Sequence, residues 1–438
     1  MPYECNTSIR PGWFWKAGLD DQVKSLETLL DTWYASVGRS GNFLLNCPPD
    51  DRGRLPDVDV ARLAEVGRVL KETFDEDLLR TAAEGPGVHF LASNVRGDDA
   101  ERFGPIGLLE PGRESYWALD DDHTTGWVEL RFEEPVTFDN VWLEEAIQLG
   151  QRITQWRVEA AVDDAWARVA EGTTLGARRV LRTPVTTTKK LRLYIDGAKA
   201  CPTVSRLSLY LSPPRVELAT PGGTSFERAE LRAATRPGAV VRWTRDGSEP
   251  TASSPELPAG PVVLTDSATV ALRAFEGRRG SPYVTRAEFQ VLHASDALTP
   301  IHFVRAPDPG FTWRRYAGRF QSVAQFEGAD PGASAPVLDA EGRAGEVSAA
   351  PLDDGPGALV FEGFLYAREL GPWRVATTSD DGSRVWLGGR LVVDNDGLHG
   401  ATRVEGTVVL AAGYYPVRIA YFDAGGGRAL AFEAAPHR

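Results

Sequence analysis

The side chains of this sequence that could do chemistry are mostly carboxylates. Acidic pairs occur at Asp98-Asp99 and Asp380-Asp381, and Glu4 and Asp396 lie in similarly polar surroundings. The six histidines form no H-E-x-x-H pattern, and the three cysteines have neither zinc spacing nor the number needed for a disulfide framework. Because carboxylates serve in proton transfer and as ligands of hard cations such as Ca²⁺, the sequence favours those two kinds of chemistry.

Length and composition limit the classes of protein that need to be considered. The chain has 438 residues, a net charge of −13 and 12 tryptophans, and this length predicts about three or four domains. The acidic balance argues against a nucleic-acid partner. No apolar run of membrane-spanning length and no signal peptide is present, so membrane insertion is not expected. After about residue 75, frequent Gly and Pro replace helical periodicity, which is typical of β modules joined by short linkers.

The elements that must position Glu4 lie in residues 1–77. Apolar residues at helical spacing predict a helix over about 22–37, capped by Asp20 or Asp21 and ended at Gly38. The apolar run 43–45, closed by Asn46-Cys47-Pro48-Pro49, is typical of a strand buried on both faces of a parallel sheet. A second helix is predicted over about 57–74. The order strand, helix, strand, helix predicts the end of a (β/α) barrel.

Two long motifs of this segment resemble a known enzyme family. They are E-C-N-T-S-I-R-P-G-W-F-W (4–15) and S-V-G-R-S-G-N-F-L-L-N-C-P-P-D-D-R-G (36–53). Together they resemble the end of the catalytic barrel of α-L-fucosidases of glycoside hydrolase family twenty-nine. The S-I-R-P-G-W-F form resembles the branch associated with α-1,3/1,4-linked fucose. The resemblance covers about the first 75 residues and implies retaining hydrolysis by an Asp nucleophile and a Glu acid/base about 5 Å apart.

By its place in the motif, Glu4 is the general acid/base that the resemblance implies; the alternative is an inert carboxylate near a chain end. The implied nucleophile lies on an earlier strand that this chain lacks, and a whole barrel takes roughly 250 residues. We therefore expect the C-terminal part of a longer extracellular or periplasmic enzyme that is inactive alone, with Met1 an internal methionine or a misplaced start. No catalytic cofactor is expected. The barrel segment should expose strand edges and helix faces and be poorly stable by itself.

Residues 78–212 form the second predicted unit. Segments that alternate apolar and polar residues, as in a half-buried strand, are 127–132, 140–145, 153–160, 166–171 and 190–195. The order S-Y-W-A-L-D-D-D…G-W-V-E-L-R-F-E-E-P resembles the discoidin, or coagulation-factor type C, domain, a β-sandwich that is often a carbohydrate-binding module.

Two sites follow from the discoidin resemblance. A structural Ca²⁺ would take oxygens from Asn94, Asp98 and Asp99 in the loop after the first strand; the alternative is a solvated surface turn. Contact with sugar would fall to Trp117 and His123; the alternative is that Trp117 belongs to the core.

Residues 213–292 form the third predicted unit, which begins at the linker Pro213-Pro214. The stretch V-V-R-W-T-R-D-G-S-E-P (240–250) predicts two strands around an Asp246-Gly247 turn. Followed by Thr251, it resembles the immunoglobulin-like module at the end of chitobiases and related glycosidases. The implied role is that of a spacer.

Residues 293–438 form the fourth predicted unit, with strands expected at 373–378, 384–387, 391–394, 408–410 and 415–422. The pattern S-D-D-G-S-R-V-W-L-G-G…L-A-A-G-Y-Y-P-V-R-I resembles the protective-antigen-like β-sandwich. In lectin members of that family, adjacent aspartates joined by a cis peptide bind calcium, which binds sugar hydroxyls. The resemblance implies this role for Asp380 and Asp381, with Asn395 and Asp396 completing the oxygen site. The alternative is an ordinary Asp381-Gly382 turn capped by Asp380.

The predicted fold class is mainly β: a partial (β/α) barrel, a discoidin jelly roll, a small immunoglobulin-like β-sandwich and a protective-antigen-like β-sandwich. The predicted function is the C-terminal part of a multimodular, retaining exo-α-L-fucosidase whose partners are fucosylated glycans or other carbohydrate. Two further hypotheses stay open, a non-catalytic glycan-binding protein with a barrel remnant and a purely structural spacer. The coding sequence upstream of Met1 would decide among them.

Overall fold

The structure is a computed structural model that describes residues 3–109, 114–163, 165–326, 336–352 and 355–437. It separates into two compact units. The first comprises residues 1–215, 236–239 and 274–284, and the second comprises residues 216–235, 240–273 and 285–438. Strands predominate, so the prediction of a mainly β fold is confirmed. No helix in the described ranges is both long and apolar enough to cross a membrane.

The first unit begins with alternating strands and helices, as predicted. They are β1 (Glu4–Ser8), α1 (Leu26–Ser36), β2 (Asn42–Asn46) and α2 (Asp57–Phe74). Strands β1 and β2 are parallel, with Glu4 opposite Asn42 and Ser8 opposite Asn46. Within the described residues this sheet has only these two strands.

Three details of this segment differ from the predictions. Helix α1 is capped by Ser25, whose Oγ accepts a hydrogen bond from the Thr28 N–H at 3.2 Å, rather than by Asp20 or Asp21. The helix runs past Ser36 into a 3₁₀ turn at Val37–Arg39 instead of ending at Gly38. Strand β2 is not buried on both faces, because Leu44, on one face, is about half exposed.

A β-sandwich follows, with two short helices. Its elements are α3 (Leu78–Glu84), β3 (Val88–Ala92), α4 (Ala100–Phe103), β4 (Trp117–Ala118), β5 (Gly126–Glu145), β6 (Ile153–Val162), β7 (Ala165–Gly172), β8 (Arg179–Ala198) and β9 (Thr203–Tyr210). In the described part, the strand order is β4-β9-β5-β8-β6-β7, with β3 paired to β5. All five predicted strands are confirmed, and the first two are parts of the continuous strand β5. Inward residues such as Val128, Leu193 and Trp156 form the core.

Aromatic side chains connect the helices of the barrel segment to this sandwich. Phe74, the last residue of α2, lies against Trp33 of α1 with 5.2 Å between ring centroids. On its other side it meets Trp142 at 5.5 Å and Tyr210 at 5.1 Å, both edge-on. Such pairs contribute about 0.5–1.5 kcal/mol each beyond the burial of their area. The expectation that the apolar helix faces of the barrel segment are exposed is therefore wrong where Phe74 and Trp33 pack.

Polar contacts reinforce the same interface. The Tyr34 hydroxyl donates to Asn140 Oδ1 at 2.6 Å, and burial raises the pKa of Tyr34 to about 12. Ser40 Oγ donates to the Arg178 carbonyl and accepts from the Arg178 N–H, both at 2.8 Å. The barrel segment and the sandwich thus share one set of buried contacts within the first unit.

The region after Pro214 contains short strands. They are β10 (Glu217–Leu218), β11 (Gly223–Phe226), β12 (Ala229–Leu231), β13 (Ala233–Ala234), β14 (Val240–Thr244), β15 (Val262–Leu264), β16 (Ala268–Glu276) and β17 (Arg279–Leu292). Among the described residues, four of them form a sheet in the order β11-β17-β16-β14. The chain turns at Asp246-Gly247, but the predicted two-strand hairpin is replaced by a looser return: β14 pairs with β16, and residues 255–257 come back antiparallel to it through the single bridge Arg242–Glu256. Asp246 Oδ1 instead accepts from the N–H and hydroxyl of Ser248, which forms a local turn.

The last region is a two-sheet sandwich. Its strands are β18 (Phe311–Ala317), β19 (Val337–Ala344), β20 (Gly357–Ala367), β21 (Gly371–Asp380), β22 (Ser383–Leu387), β23 (Arg390–Asn395), β24 (Thr402–Leu410), β25 (Gly413–Asp423) and β26 (Ala429–Pro436). As far as the chain is described, one sheet has the order β19-β18-β20-β25-β22-β23 and the other β24-β21-β26. All five predicted strands are confirmed.

Two apolar clusters divide the six-stranded sheet of this region between its faces. The inner face packs on the three-stranded sheet through residues such as Phe361, Val375 and Ile419. The outer face is covered at one end, where Phe320 and Val323 pack on it.

Candidate functional site

The carboxyl ends of β1 and β2 carry the loops that would build an active site in a barrel. Arg10 follows β1 and is buried; its Nε lies 3.0 and 3.1 Å from the two carboxylate oxygens of Asp59, which is fully buried at the start of α2. A third contact runs from Arg10 to Asp20 at 2.8 Å. The hydrogen bond to Asp59 raises the pKa of Arg10 above its ordinary value. Arg10 is therefore the anchor of this loop, a role that no pattern in the linear sequence predicts.

Two aromatic side chains, Trp13 and Phe14, are exposed in the loop that follows Arg10. The Phe14 side chain is 79% exposed and Trp13 is about half exposed. Asn46, the last residue of β2, holds this loop in place by donating to the Trp13 carbonyl at 2.8 Å and to Ser8 Oγ at 3.2 Å. The carboxyl edge of the strand pair thus presents flat apolar surface next to polar backbone.

Glu4 lies at the opposite end of the same strand. It is the first residue of β1, it is exposed, and its carboxylate makes no hydrogen bond or ion pair with the described residues. At about 3.3 Å per residue, the strand places it roughly 13 Å from the carboxyl end at Ser8. Catalytic residues of barrel enzymes come from the carboxyl ends of the strands. The acid/base role of Glu4 stays a prediction.

The predicted calcium loop of the sandwich is held together by the protein itself. The side-chain amide of Asn94 donates to Asp120 Oδ2 and its oxygen accepts the Asp120 N–H, both at 2.8 Å. Asp120 Oδ1 also accepts the Gly97 N–H at 2.7 Å. These hydrogen bonds from Asn94 and Gly97 lower the pKa of Asp120. Asp99 caps α4 by accepting the Arg102 N–H, and Asp98 is exposed. The three predicted ligands therefore have separate roles in the described structure, and the calcium site stays a prediction.

The predicted sugar contact is wrong for Trp117. Its side chain is fully buried in the core, and its indole N–H donates to the Asn94 carbonyl at 3.1 Å. The alternative, a core tryptophan, is the one observed. His123 is exposed and its Nδ1 lies 2.8 Å from the carboxylate of Asp122. No aromatic surface of Trp117 is available beside it.

The Asp380–Asp381 peptide bond is cis. Asp381 is buried, and its carboxylate accepts the His399 N–H at 3.1 Å and the Ala424 N–H at 2.9 Å. The Asp380 carbonyl accepts the Tyr421 hydroxyl at 2.6 Å. The two carboxylates thus lie where the loops 395–399 and 424–427 meet the end of β21.

The two remaining predicted ligands differ from each other. The side-chain amide of Asn395 donates to Ser379 Oγ and the Thr402 carbonyl, so its oxygen can face a cation. Asp396 instead accepts the Val323 N–H at 2.8 Å and lies 3.4 Å from Arg384, so its charge is already matched. Nowhere in the described ranges do three His, Cys, Asp or Glu side chains group as metal ligands. Asp380, Asp381 and Asn395 lie at one loop cluster, and their role as calcium ligands stays a prediction; Asp396 is paired with Arg384 instead.

Comparison with known proteins matches three separate stretches of the chain. Residues 1–74 match the family described as Alpha-L-fucosidase, and residues 220–286 match the Chitobiase/beta-hexosaminidase C-terminal domain. Residues 344–435 match the PA14 domain. Residues 1–74 are thus similar to a region of α-L-fucosidases.

Individual relatives agree with the first of these matches. Alpha-L-fucosidase 1 of Arabidopsis thaliana is 37% identical over 214 residues, which are 48% of this chain and 41% of that protein. The putative alpha-L-fucosidase 1 of rice (Oryza sativa subsp. japonica) is 36% identical over 211 residues, 48% of this chain and 39% of that protein. The chain therefore spans about two fifths of the curated relatives it matches.

A solved structure of a fucosidase from Ruminococcus gnavus, in complex with fucose, is 33% identical to this chain. The match covers 48% of this chain and 41% of that one, with a TM-score of 0.44. A putative alpha-L-fucosidase from Bacteroides thetaiotaomicron is also 33% identical, covering 47% and 44%, with a TM-score of 0.43.

Proposed function

We propose that residues 3–74 are the closing part of the barrel of a retaining exo-α-L-fucosidase that removes terminal α-1,3/1,4-linked fucose from glycans. The observation that carries this proposal is the match of residues 1–74 to the α-L-fucosidase family. The parallel β1–β2 pair supports it, because its carboxyl edge presents Trp13 and Phe14, and loops at that edge build the active sites of barrel enzymes.

In this proposal each part of the segment has its own task. Arg10 and Asp59 fix the loop after β1, and Trp13 and Phe14 offer flat apolar surface to the sugar or its aglycone. A carboxylic acid protonates the leaving oxygen and later deprotonates the water that releases fucose. Glu4 is the motif's candidate for that group.

The test uses the complete enzyme read in frame from the gene. We expect it to release fucose from α-1,3/1,4-linked glycans faster than from α-1,2-linked ones. With Glu4→Gln, turnover of a natural glycan should fall by about 10²- to 10⁴-fold, the usual contribution of general acid–base catalysis. An aryl fucoside should lose less, because its good leaving group needs little protonation.

The matched control is Asp21→Asn, which removes another exposed carboxylate of the same segment and should leave turnover unchanged. If Glu4→Gln also left natural-substrate turnover unchanged, Glu4 would be the wrong residue and the proposed fucosidase could still stand. If the complete enzyme released no fucose at all, the fucosidase proposal itself would fail, and a non-catalytic glycan-binding protein would replace it.

We propose in addition that Asp380, Asp381 and Asn395 hold a calcium ion. When bound, such an ion would supply a positive centre for sugar hydroxyls. The support is the donor set itself, which offers two carboxylates and an amide oxygen at one loop cluster.

A further inference from the structure

The outer face of the six-stranded sheet holds a cleft of about 900 Å³, well away from the Asp380–Asp381 loop. Its floor includes Glu362 and Phe364 of β20, Arg418 of β25 and Trp386 of β22. Ala424, which donates to Asp381, lies six residues beyond Arg418, about 20 Å along an extended chain. Concave pockets of about 300–1,000 Å³ are the size that proteins use for small ligands.

The register of the strands explains why these side chains share a face. Arg343 pairs with Thr312, Thr312 with Glu362, Glu362 with Arg418, and Arg418 with Trp386. Directly paired residues point to the same side of a sheet. With strands about 4.8 Å apart, this polar row extends over about 19 Å, which is room for several linked sugar rings.

The charges within the cleft are matched. The Glu362 carboxylate lies 2.7 Å from Arg418 and 2.8 Å from Arg314, through different oxygens. Arg343 lies 3.7 Å from Asp308. The cleft lining itself has two arginines, Arg343 and Arg418, and each has one acid of the lining as its partner; Arg314 lies outside the lining. Because the lining is balanced in charge, a bound ligand needs no charge of its own.

An aromatic strip runs beside the polar row on the same face. Phe364 is 41% exposed, and its ring lies 5.1 Å from that of Phe303. Two residues further along β20, Tyr366 is exposed and lies 4.7 Å from Tyr414. The strip and the row together present flat rings next to planar hydrogen-bonding groups. A sugar has the same two kinds of surface, apolar C–H faces and hydroxyl edges.

We propose that this cleft is a calcium-independent binding site for a neutral oligosaccharide. The aromatic strip packs on the sugar faces, and Glu362, Arg418 and Thr312 bind the hydroxyls. The matched charges favour a neutral ligand, and the concave shape favours an oligosaccharide over a flat protein surface. The choice of carbohydrate as the ligand class rests on the proposed function.

The test is calorimetric titration of the full 438-residue chain in excess EDTA. The probes are neutral oligosaccharides of two to six sugars, with and without terminal fucose. We expect at least one probe to bind, and Phe364→Ala to weaken that binding at least tenfold. Glu362→Gln, which keeps the shape but removes the charge of one ion-pair partner, should weaken it about threefold. Phe364→Leu keeps the packing on Phe303 but removes the flat ring, and it should weaken binding with an unchanged melting temperature.

Trp166→Ala is the matched control, because Trp166 of β7 is similarly exposed and lies in the other unit. We expect it to bind the probe as the parent chain does. The proposal would be overturned if the parent chain bound no probe, or if Trp166→Ala weakened binding as much as Phe364→Ala. It would also be overturned if neither Phe364 variant weakened binding, or if only a peptide displaced the bound probe. Since the readout is binding, an absence of fucose release by the complete enzyme leaves this result unaffected, so the two failures are distinguishable.

Discussion

The β1–β2 pair and the six-stranded sheet place their acidic side chains in very different surroundings. Glu4 begins a strand that has one neighbour, is exposed, and has no polar partner among the described residues. Glu362 lies within β20, between two neighbours, and each neighbour contributes an arginine to it, Arg314 from β18 and Arg418 from β25. Glu362 thus has an ion-pair partner on each neighbouring strand, which the two-stranded sheet does not offer to Glu4.

The barrel segment is held in place mainly by contacts that lie outside its own sheet. Its own sheet leaves Leu44 and Phe14 exposed. The buried ion pair between Arg10 and Asp59 fixes its loop, and the ring contacts of Phe74 with Trp142 and Tyr210 are the main aromatic attachment to the sandwich. A few substitutions should therefore remove most of the stability of this segment, whereas the sheet of the second unit should be insensitive to them.

The largest effect should come from Arg10→Ala. It leaves Asp59 buried and unpaired, which typically costs about 3–5 kcal/mol. We expect the free energy of unfolding of the first unit, measured by urea denaturation, to fall by that amount while the second unit keeps its midpoint.

The control for Arg10 is an exposed pair. Arg232→Ala removes the partner of Glu230, and both of those side chains are about half exposed; surface pairs contribute about 0–1 kcal/mol. Replacing both buried partners, as Arg10→Met with Asp59→Leu, should restore much of the loss. Equal effects of Arg10→Ala and Arg232→Ala would contradict the comparison.

Phe74→Ala should have the next largest effect. Removing a core phenylalanine costs about 3–5 kcal/mol, and the lower figure is expected here because Phe74 is half-buried. Phe14→Ala removes the same ring from an exposed site and should change stability by less than about 0.5 kcal/mol. Urea midpoints that fall equally in both variants would show that the sandwich does not support the segment.

Calcium binding at the Asp380–Asp381 loop should stabilise the second unit. At about 100 times its dissociation constant, a ligand of the folded state stabilises it by about 2.7 kcal/mol. We expect calcium, compared with EDTA, to raise the melting temperature of the full chain. Asp381→Asn should abolish that rise, whereas Asp98→Asn should leave it intact. A rise that survives Asp381→Asn would place the ion elsewhere.

The smallest effect concerns the loop that Asp120 organises. Because hydrogen bonds from Asn94 and Gly97 lower its pKa in the folded state, Asp120 contributes stability above its unfolded pKa. That contribution is lost as pH falls through the lowered, folded-state pKa. Urea midpoints between about pH 6 and pH 3 should decline less steeply in Asp120→Asn than in the parent chain. Asp98→Asn is the control and should follow the parent; identical slopes in all three would contradict the role of Asp120.

Sequence patterns predicted the regular elements well where the periodicity was long. The strands of both sandwiches and helix α2 lie where alternation or helical spacing placed them. Helix caps and strand partners near turns were harder to predict. Ser25, rather than Asp20 or Asp21, caps α1, since all three are good caps and only the path of the chain selects one. Asp246-Gly247 is a strong turn signal, but β14 found its partner in the more distant β16.

The sites depended on contacts that a linear pattern does not contain. Trp117 was a candidate for sugar binding because exposure cannot be inferred from residue type, and the structure buries it completely. Asp396 has the residue type of a calcium ligand, but Arg384 lies 3.4 Å from it, a contact that the sequence does not reveal. Glu362 and Arg418 are separated by 56 residues in sequence, and only the β20–β25 register brings them together. The cleft could therefore not be predicted from sequence motifs.

The contacts of Phe74 and Ser40 bear on how modules of this kind can be exchanged between proteins. A motif boundary near residue 77 suggests that the sandwich could be replaced by another. Yet Trp142, Tyr210 and Arg178, which hold the preceding helices, lie beyond that boundary. A recombinant with a different sandwich would need an aromatic pair equivalent to Trp142 and Tyr210. Residues 3–215 would therefore have to be exchanged together rather than as two separate modules.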